Sequence, residues 1–136
     1  MLTVRHIDHV VLTCRDVAAS IRFYTEVLGM REVTFGDGRK ALAFGQQKIN
    51  LHPVGQAAQG AMGSVATIAG RPTPGSADFC LIVAQSLVVV AAHLAACGVP
   101  VELGPAIRTG AQGPIESIYI RDPDGNLVEL SRYVDS

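Results

Sequence analysis

The chain repeats one order of predicted elements twice, and this repeat limits the folds that it can adopt. A constant offset along the sequence places Leu12 on Leu81, Gly29 on Gly98 and His9 on Asp78. Each half predicts a strand, a helix and then three strands, and neither half is large enough to bury its own sheet. We therefore predict an α+β fold of two βαβββ modules that form a cupped mixed sheet with the helices on the outside.

Local patterns give the expected bounds of these elements. Asp16 can cap a helix whose apolar positions recur at helical spacing until Gly29, and Ser86 and Gly98 do the same in the second half. Short β-branched or alternating runs predict the strands. These strands are expected at residues 7–14, 31–35, 40–45 and 48–53, and at 78–83, 101–103, 117–121 and 126–131.

The repeat and the chain length predict one domain over residues 1–136, with modules at about 5–53 and 77–133. The connection, residues 54–76, is rich in Gly, Ala, Gln, Ser and Pro. Such a composition predicts a flexible segment, and we expect residues 56–70 to be mobile near the mouth of a site.

Composition excludes several classes of function. Eleven basic and twelve acidic residues give a net charge of -1, so there is no basic field to bind nucleic acid. The three cysteines, Cys14, Cys80 and Cys97, form no C-x-x-C pair, which favours a reducing, cytoplasmic location. No apolar run resembles a secretory signal or is long enough to span a membrane.

Alternation along the predicted strands places six polar side chains on one concave face. Each has an ordinary structural explanation: a histidine in a strand is more often a hydrogen-bonded core residue, and an Asp often caps a turn. Together, however, two carboxylates and an imidazole in one cup require a compensating cation. One histidine with two carboxylates is a normal site for a divalent transition metal. The six residues are His9, Asn50, His52, Asp78, Tyr119 and Glu129.

Three motifs carry a family resemblance. IDHVVL at the first strand, KINLH at the fourth and YIRDPDGNLVEL near the end resemble the vicinal oxygen chelate superfamily, which includes glyoxalase I, extradiol dioxygenases, fosfomycin-resistance transferases and bleomycin-binding proteins. FYTEVLGM and RPTPGSADFC are similar more narrowly to the glyoxalase domain-containing protein 5 group. The resemblance covers nearly the whole chain and implies the two-module fold.

The resemblance implies metal ligands on the first and fourth strands of each module. These positions hold His9, Asn50, Asp78 and Glu129, and the three-ligand members use the places of His9, Asp78 and Glu129. Asp78 departs from the family, which has histidine there, and Asn50 stands where glyoxalase I has glutamate. Tyr119 matches a place at which fosfomycin transferases contact the phosphonate.

Two functions follow as hypotheses. The first is a metal-dependent enzyme of the glyoxalase or dioxygenase type, in which His9, Asp78 and Glu129 bind Fe, Mn, Ni or Zn and a small oxygenated substrate chelates the ion. Glu129 and His52 would move protons, and a further set would bind substrate: Tyr119, Asn50 and Arg121. The alternative is a metal-free drug- or metabolite-binding protein, which the 5% aromatic content disfavours. We also expect a homodimer.

Overall fold

The computed structural model of the chain describes residues 1–55 and 67–134, which belong to two compact units, Met1–Pro74 and Gly75–Ser136. Each unit contains one four-stranded mixed sheet and one main helix, in the predicted order of elements. Most of the expected mobile segment, residues 56–66, lies outside the described residues. No helix among the described residues has the length and apolar character needed to cross a membrane.

The first unit has the strand order β1-β4-β3-β2, in which only the β1–β4 pair is parallel. Its apolar side is fully buried at Leu42, Ile49 and Tyr24, and the helix packs on β4. The bounds are β1 (His9–Cys14), α1 (Val17–Arg22), β2 (Arg31–Phe35), β3 (Arg39–Phe44) and β4 (Gln47–Pro53).

The helical segment that starts with α1 begins and ends as the sequence predicts, but its pitch changes after Arg22. The Asp16 carboxylate accepts a hydrogen bond from Ala19 N at 3.1 Å, and Gly29 closes the segment with a φ of +70°. From Phe23 to Val27 the backbone forms a π-helical turn. The Thr25 hydroxyl donates to the Ile21 carbonyl at 2.7 Å and so competes with the backbone ladder at that turn.

The second unit repeats this topology with the order β5-β8-β7-β6, again with one parallel pair, β5–β8. Its buried apolar side includes Ile118, Ile120, Val128 and Leu130, and its helix packs on β7. The bounds are β5 (Asp78–Ile82), α2 (Leu87–Ala96), β6 (Leu103–Gly110), β7 (Gly113–Arg121) and β8 (Leu127–Tyr133).

The ends of α2 match the prediction with one exception. Ser86 Oγ accepts from Val89 N at 3.3 Å, and Val90 and Leu94 are buried as expected. Cys97, whose spacing from Val90 and Leu94 would suit the apolar face of a longer helix, lies just after the last turn and is exposed. The helix already ends at Ala96, so the Cys97 side chain turns away from the core.

Strand β6 is longer than predicted and begins where we expected the strand to end. Glycine and proline in its sequence, LGPAIRTG, hide the strand pattern, and its pairing with β7 shifts register between Leu103 and Ala106. Gly104 has a φ of +111°, and a Cβ at this position would collide with the backbone of Ser117. The glycine therefore permits β6 to approach β7 closely beside Ser117.

A buried turn at residues 122–125 sets the position of β5 beside β8. Asp122 Oδ1 accepts from Asp124 N and Asn126 N, both at 2.9 Å, and Asp122 Oδ2 accepts from Asn126 Nδ2 at 2.8 Å. Asn126 Oδ1 then accepts from Ala77 N at 2.8 Å, one residue before β5. This network connects the two strands that carry Asp78 and Glu129.

Candidate active site

The polar face of the first unit is set by the register of its strands. Val11 pairs with Asn50, and Thr13 pairs with His52, so His9, Asn50 and His52 lie on the same face of the β1–β4 ribbon. The predicted sharing of a face by these three residues is confirmed. All three line a cavity of about 750 Å³ that is formed by residues of this unit.

Asn50 is the least satisfied polar residue of this face. Its side chain is 8% exposed, and its Oδ1 accepts no hydrogen bond from any described residue. Its cross-strand neighbours, Val11 and Ala41, carry no side-chain donor. A buried acceptor without a partner costs about 1–3 kcal/mol of folding free energy, so the amide oxygen is available to a bound molecule.

His52 lies one inward step further along β4 and is half-buried. Burial lowers its pKa, and the nearby positive charge of Arg39 lowers it further. The imidazole is therefore neutral at physiological pH. A neutral imidazole in a cavity can accept a proton, donate one hydrogen bond or bind a metal ion.

His9 is exposed at the start of β1, and its ring is oriented by a carboxylate. His9 Nδ1 lies 2.7 Å from Asp8 Oδ2, and this hydrogen bond lowers the pKa of the Asp8 carboxyl. With the proton on Nδ1, Nε2 presents its lone pair to the surroundings. A carboxylate bonded to the outer ring nitrogen is the usual arrangement around metal-binding histidines.

The second unit presents its own polar face on β5, β7 and β8. Glu129 pairs with Cys80 on one side and with Tyr119 on the other, and Asp78 lies two residues before Cys80. Asp78, Tyr119 and Glu129 therefore share one face, as predicted. Asp78 is exposed, whereas Tyr119 and Glu129 are half-buried.

Two fully buried serines, which the sequence analysis missed, hold the Glu129 carboxylate. Ser117 Oγ donates to Glu129 Oε2 at 2.6 Å, and Ser131 Oγ lies 2.6 Å from Ser117 Oγ and 3.4 Å from Glu129 Oε2. Both serines are 0% exposed. No described residue forms a hydrogen bond with Oε1, so the carboxylate is fixed through one oxygen and open at the other.

Proton counting assigns the direction of this network. Ser117 has one hydroxyl proton, and it goes to Glu129 Oε2, so Ser131 must donate to Ser117. Cys80 Sγ lies 3.2 Å from Ser131 Oγ and must then be the donor in that pair. Burial raises the pKa of the Cys80 thiol and outweighs the hydrogen bond with Ser131, which lowers it, while the Glu129 charge raises it further, so the thiol keeps its proton.

Tyr119 and Arg121 have different surroundings on the same strand. Arg108 Nε donates to Tyr119 Oη at 3.0 Å, which leaves the phenolic proton free to bind another acceptor. The Arg121 guanidinium forms an ion pair with Glu102 at 3.2 Å and donates to the Gly125 carbonyl. Arg121 can bind a substrate anion only by exchanging this ion pair.

Taken one unit at a time, the described residues contain no cluster of three histidine, cysteine or carboxylate side chains that would hold a metal ion. His9 belongs to the first unit and Asp78 and Glu129 to the second. The donors themselves suit a divalent ion: an oriented imidazole, a carboxylate with one open oxygen, and an exposed Asp78 on the same face. The three-ligand set stays a prediction.

The alternation of side chains along β7 and β8 already indicates both serines. Ser117 and Ser131 lie on the polar face, and the isoleucine and leucine residues beside them point to the apolar face. The place of Arg39 could be predicted only from the strand register, which brings this residue to the same face as His52. Asp8 was missed because the strand predicted at residues 7–14 places it on the face opposite to His9, whereas the observed strand begins only at His9.

The chain matches the glyoxalase/bleomycin resistance protein/dioxygenase superfamily over residues 6–130. It therefore belongs to this superfamily, and its two four-stranded sheets are those of the vicinal oxygen chelate fold. The narrower assignment to the glyoxalase domain-containing protein 5 group stays a prediction.

Particular relatives extend over nearly the whole chain. Virulence protein STM3117 of Salmonella typhimurium (strain LT2) is 50% identical over 133 residues, which cover 98% of this chain and 88% of that protein. Its crystal structure gives a TM-score of 0.88, with 98% and 100% of the two chains covered. Glyoxalase domain-containing protein RDO1 of Mycosarcoma maydis is 50% identical over 99% of this chain and 72% of its own length.

A third relative is known from its structure. An integron cassette protein from the mobile metagenome of V. cholerae is 46% identical and gives a TM-score of 0.89, and the match covers 98% of each chain. These matches extend the superfamily assignment from the motifs to the complete order of strands and helices.

The serine network predicts an energetic coupling between Ser117 and Glu129. In a double-mutant cycle of Ser117→Ala and Glu129→Ala, we expect a coupling of about 1–3 kcal/mol, because the hydrogen bond is short, buried and made to a charged group. Urea unfolding of the four proteins measures it. A parallel cycle with Glu116→Ala, an exposed residue on the opposite face of β7, should give a coupling near zero. Equal couplings in the two cycles would contradict the assigned bond.

The surroundings of His52 predict a titration below its ordinary value of 6.5. Because the folded pKa is lower than the unfolded one, the stability that depends on neutral His52 is complete above pH 6.5 and declines as the pH falls through the folded pKa. NMR titration of the ring measures this pKa. Arg39→Gln should raise it only in part, since burial is the larger cause, while Arg31→Gln should leave it unchanged. An unchanged pKa in Arg39→Gln would rule out the electrostatic contribution.

Proposed function

We propose that the protein is a metal-dependent enzyme of the glyoxalase or dioxygenase type, which acts on a small oxygenated substrate. The observation that carries this proposal is the Glu129 carboxylate, whose Oε2 is fixed by the buried Ser117 hydroxyl, itself bonded to the buried Ser131 hydroxyl, while Oε1 accepts no hydrogen bond from the described residues. A glutamate that served only solubility would not need an oriented carboxylate. Such preorganisation is typical of ligands and of groups that move protons.

The proposed ligands are His9, Asp78 and Glu129, supplied by the first strands of the two units and by β8. A divalent ion bound there would act as a Lewis acid toward neighbouring substrate oxygens. Its identity is proposed as Fe, Mn, Ni or Zn, all of which accept imidazole and carboxylate donors. The hydrogen bond between His9 and Asp8 supports the role of His9, because it fixes the ring and leaves Nε2 free.

The remaining polar residues have complementary roles in the proposed site. Neutral His52 can accept a proton from the substrate, and the open oxygen of Glu129 is the second candidate base. Asn50 Oδ1 can accept a substrate hydrogen bond, and Tyr119 can donate one while Arg108 holds its oxygen. Arg121 is the proposed contact to a substrate anion at the exposed edge.

The alternative is a metal-free drug- or metabolite-binding protein. That function calls for aromatic side chains on which a flat ligand stacks. Among the described residues, the lining of the cavity in the first unit contains no Phe, Tyr or Trp. This lining supports the enzyme over a stacking cleft. None of the three cysteines forms a disulfide, which supports a reducing, cytoplasmic location.

Elemental analysis tests metal dependence on the protein purified without chelator or histidine tag. We expect about one equivalent of transition metal per chain, lost in His9→Ala and in Glu129→Ala. His6→Ala and Glu116→Ala, which remove the same residue types outside the proposed set, should retain it. Circular dichroism should confirm that every variant is folded. A metal-free parent that Mn(II), Fe(II), Ni(II) and Zn(II) all fail to stabilise thermally would favour the alternative.

The proposed assembly is a homodimer. Strand β1 forms one edge of its sheet, and its Val10 and Val11 are 44% and 45% exposed, so the edge offers both unpaired backbone and apolar side chains. Light scattering at micromolar concentration should give the mass of two chains. A mass near the 14.3 kDa of one chain would contradict the dimer.

A further inference from the structure

The cavity of the first unit contains groups that call for a particular class of ligand. Its polar lining includes Asn50, His52 and Arg39, and its apolar lining includes Val11 and Ile68. The volume of about 750 Å³ suits a small organic molecule. Asn50, His52 and Arg39 lie on one sheet face, because Ala41 pairs with Asn50 and Arg39 lies two residues before Ala41.

Asn50 requires a hydrogen-bond donor that the described residues do not supply. The side chain is more than nine-tenths buried, its Oδ1 has no partner among the described residues, and the residue lines the cavity. A valine at this place in the strand would pack between Val11 and Ala41 without an unpaired oxygen. A hydroxyl or amine group of a bound ligand can supply this donor.

Arg39 sets the second requirement, which is a negative charge on the ligand. Its guanidinium stacks on the Phe35 ring, with Cζ 4.6 Å from the centroid, and a Cβ on Gly36 would lie 3.0 Å from its Nε and Nη2. The ring contacts the guanidinium, and the missing side chain of Gly36 leaves room for it. No carboxylate of the described residues forms an ion pair with Arg39.

The other charged residues of the lining do not replace Arg39. Lys40 forms an ion pair with Glu32 at 3.0 Å and donates to Thr34 at 2.7 Å, so its ammonium is already bound. Asp37 is the acidic residue of the lining and lies in the exposed turn between β2 and β3. His52 is neutral and adds a hydrogen-bonding group beside Arg39 without a second charge.

We propose that the first-unit cavity binds a small hydroxylated organic anion, whose hydroxyl donates to Asn50 Oδ1 and whose oxyanion contacts Arg39. The cross-strand diagonal between positions 50 and 39 spans about 7–8 Å between backbones, so the two groups of the ligand are a few bonds apart. The inference rests on the proposed function, since this anion is its substrate, and it names the class of that substrate.

The first test concerns Asn50 alone and needs no ligand. Asn50→Val should raise Tm by roughly 2–8 °C, because it removes a buried unpaired acceptor. Asn50→Ala is a second variant, in which no added methyl groups can crowd the strand. Its loss of stability should be smaller than that caused by Ala41→Gly on the neighbouring strand. A fall in Tm for Asn50→Val together with a larger loss for Asn50→Ala would overturn the inference, since Asn50 would then be structural.

The second test compares a matched pair of anions, β-hydroxybutyrate and butyrate, which differ only in the hydroxyl. In NMR titrations with a chelator present, the wild-type chain should bind β-hydroxybutyrate about tenfold more tightly, and Asn50→Val should abolish the preference. Arg39→Gln should weaken both ligands about tenfold, whereas Arg31→Gln, outside the cavity lining, should weaken neither. Glycerol phosphate tests whether the oxyanion of the ligand is a phosphate. If it binds more tightly than β-hydroxybutyrate and this binding depends on Arg39, the oxyanion is a phosphate. If it binds more weakly, the oxyanion is a carboxylate.

No preference for the hydroxylated anion in the wild type, or a preference that survives Asn50→Val, would overturn the proposal. The titrations use the full chain without metal or turnover, so a failure of metal dependence does not change them. Conversely, loss of anion binding in Arg39→Gln leaves the metal content measured for His9→Ala and Glu129→Ala unaffected. The two proposals can therefore fail separately.

Discussion

In each unit the first strand lies at the edge of the sheet and pairs in parallel with the strand that comes last along the chain. This pairing decides which side chains meet. Val11 lies opposite Asn50 in one unit, and Cys80 lies opposite Glu129 in the other. Because side chains alternate between the faces of a strand, a slip of one residue would move every polar group of either face into the apolar core. The buried turn that Asp122 and Asn126 form beside β5 secures this register in the second unit.

The two polar faces differ in how far their hydrogen bonds are satisfied. In the second unit, Cys80, Ser131 and Ser117 donate hydrogen bonds in one direction toward Glu129, and each hydroxyl has a partner. In the first unit, the oxygen of Asn50 has no partner within residues 1–55 and 67–134. A satisfied network holds a group in one position, whereas an open acceptor depends on what enters the cavity. Rigid positioning and ligand selection thus lie in different parts of the chain.

Much of the fold was predictable, because alternation and capping are local. Asp16, Gly29 and Ser86 mark helix ends by chemistry that needs only a few neighbouring residues, and KINLH displays its two faces directly. The π-helical turn after Arg22 was not predictable, since it depends on a hydroxyl that bonds back to Ile21. Strand β6 was mostly missed because Gly104 and Pro105 are weak strand formers, and only its fit against the Ser117 backbone explains the glycine.

The candidate site was predictable as a set of faces but not as a set of bonds. Period two gave the sides for His9, His52 and Glu129, yet it cannot say that a serine twelve residues away along the chain holds Glu129. That bond depends on the antiparallel pairing of β7 with β8. Arg39 likewise reaches His52 only through the pairing of β3 with β4. Long-range register was the missing information.

The unpaired oxygen of Asn50 also bears on how such a protein diverges over evolutionary time. Most core positions resist replacement because each change breaks contacts on several sides. Position 50 differs, because no described residue bonds to the amide oxygen, and a lineage can exchange the residue without breaking such a bond. Under the proposed ligand binding, selection on the bound molecule would maintain the residue. Descendants that share this architecture are free to explore new chemistry from the first unit while the second unit keeps its inherited hydroxyl network.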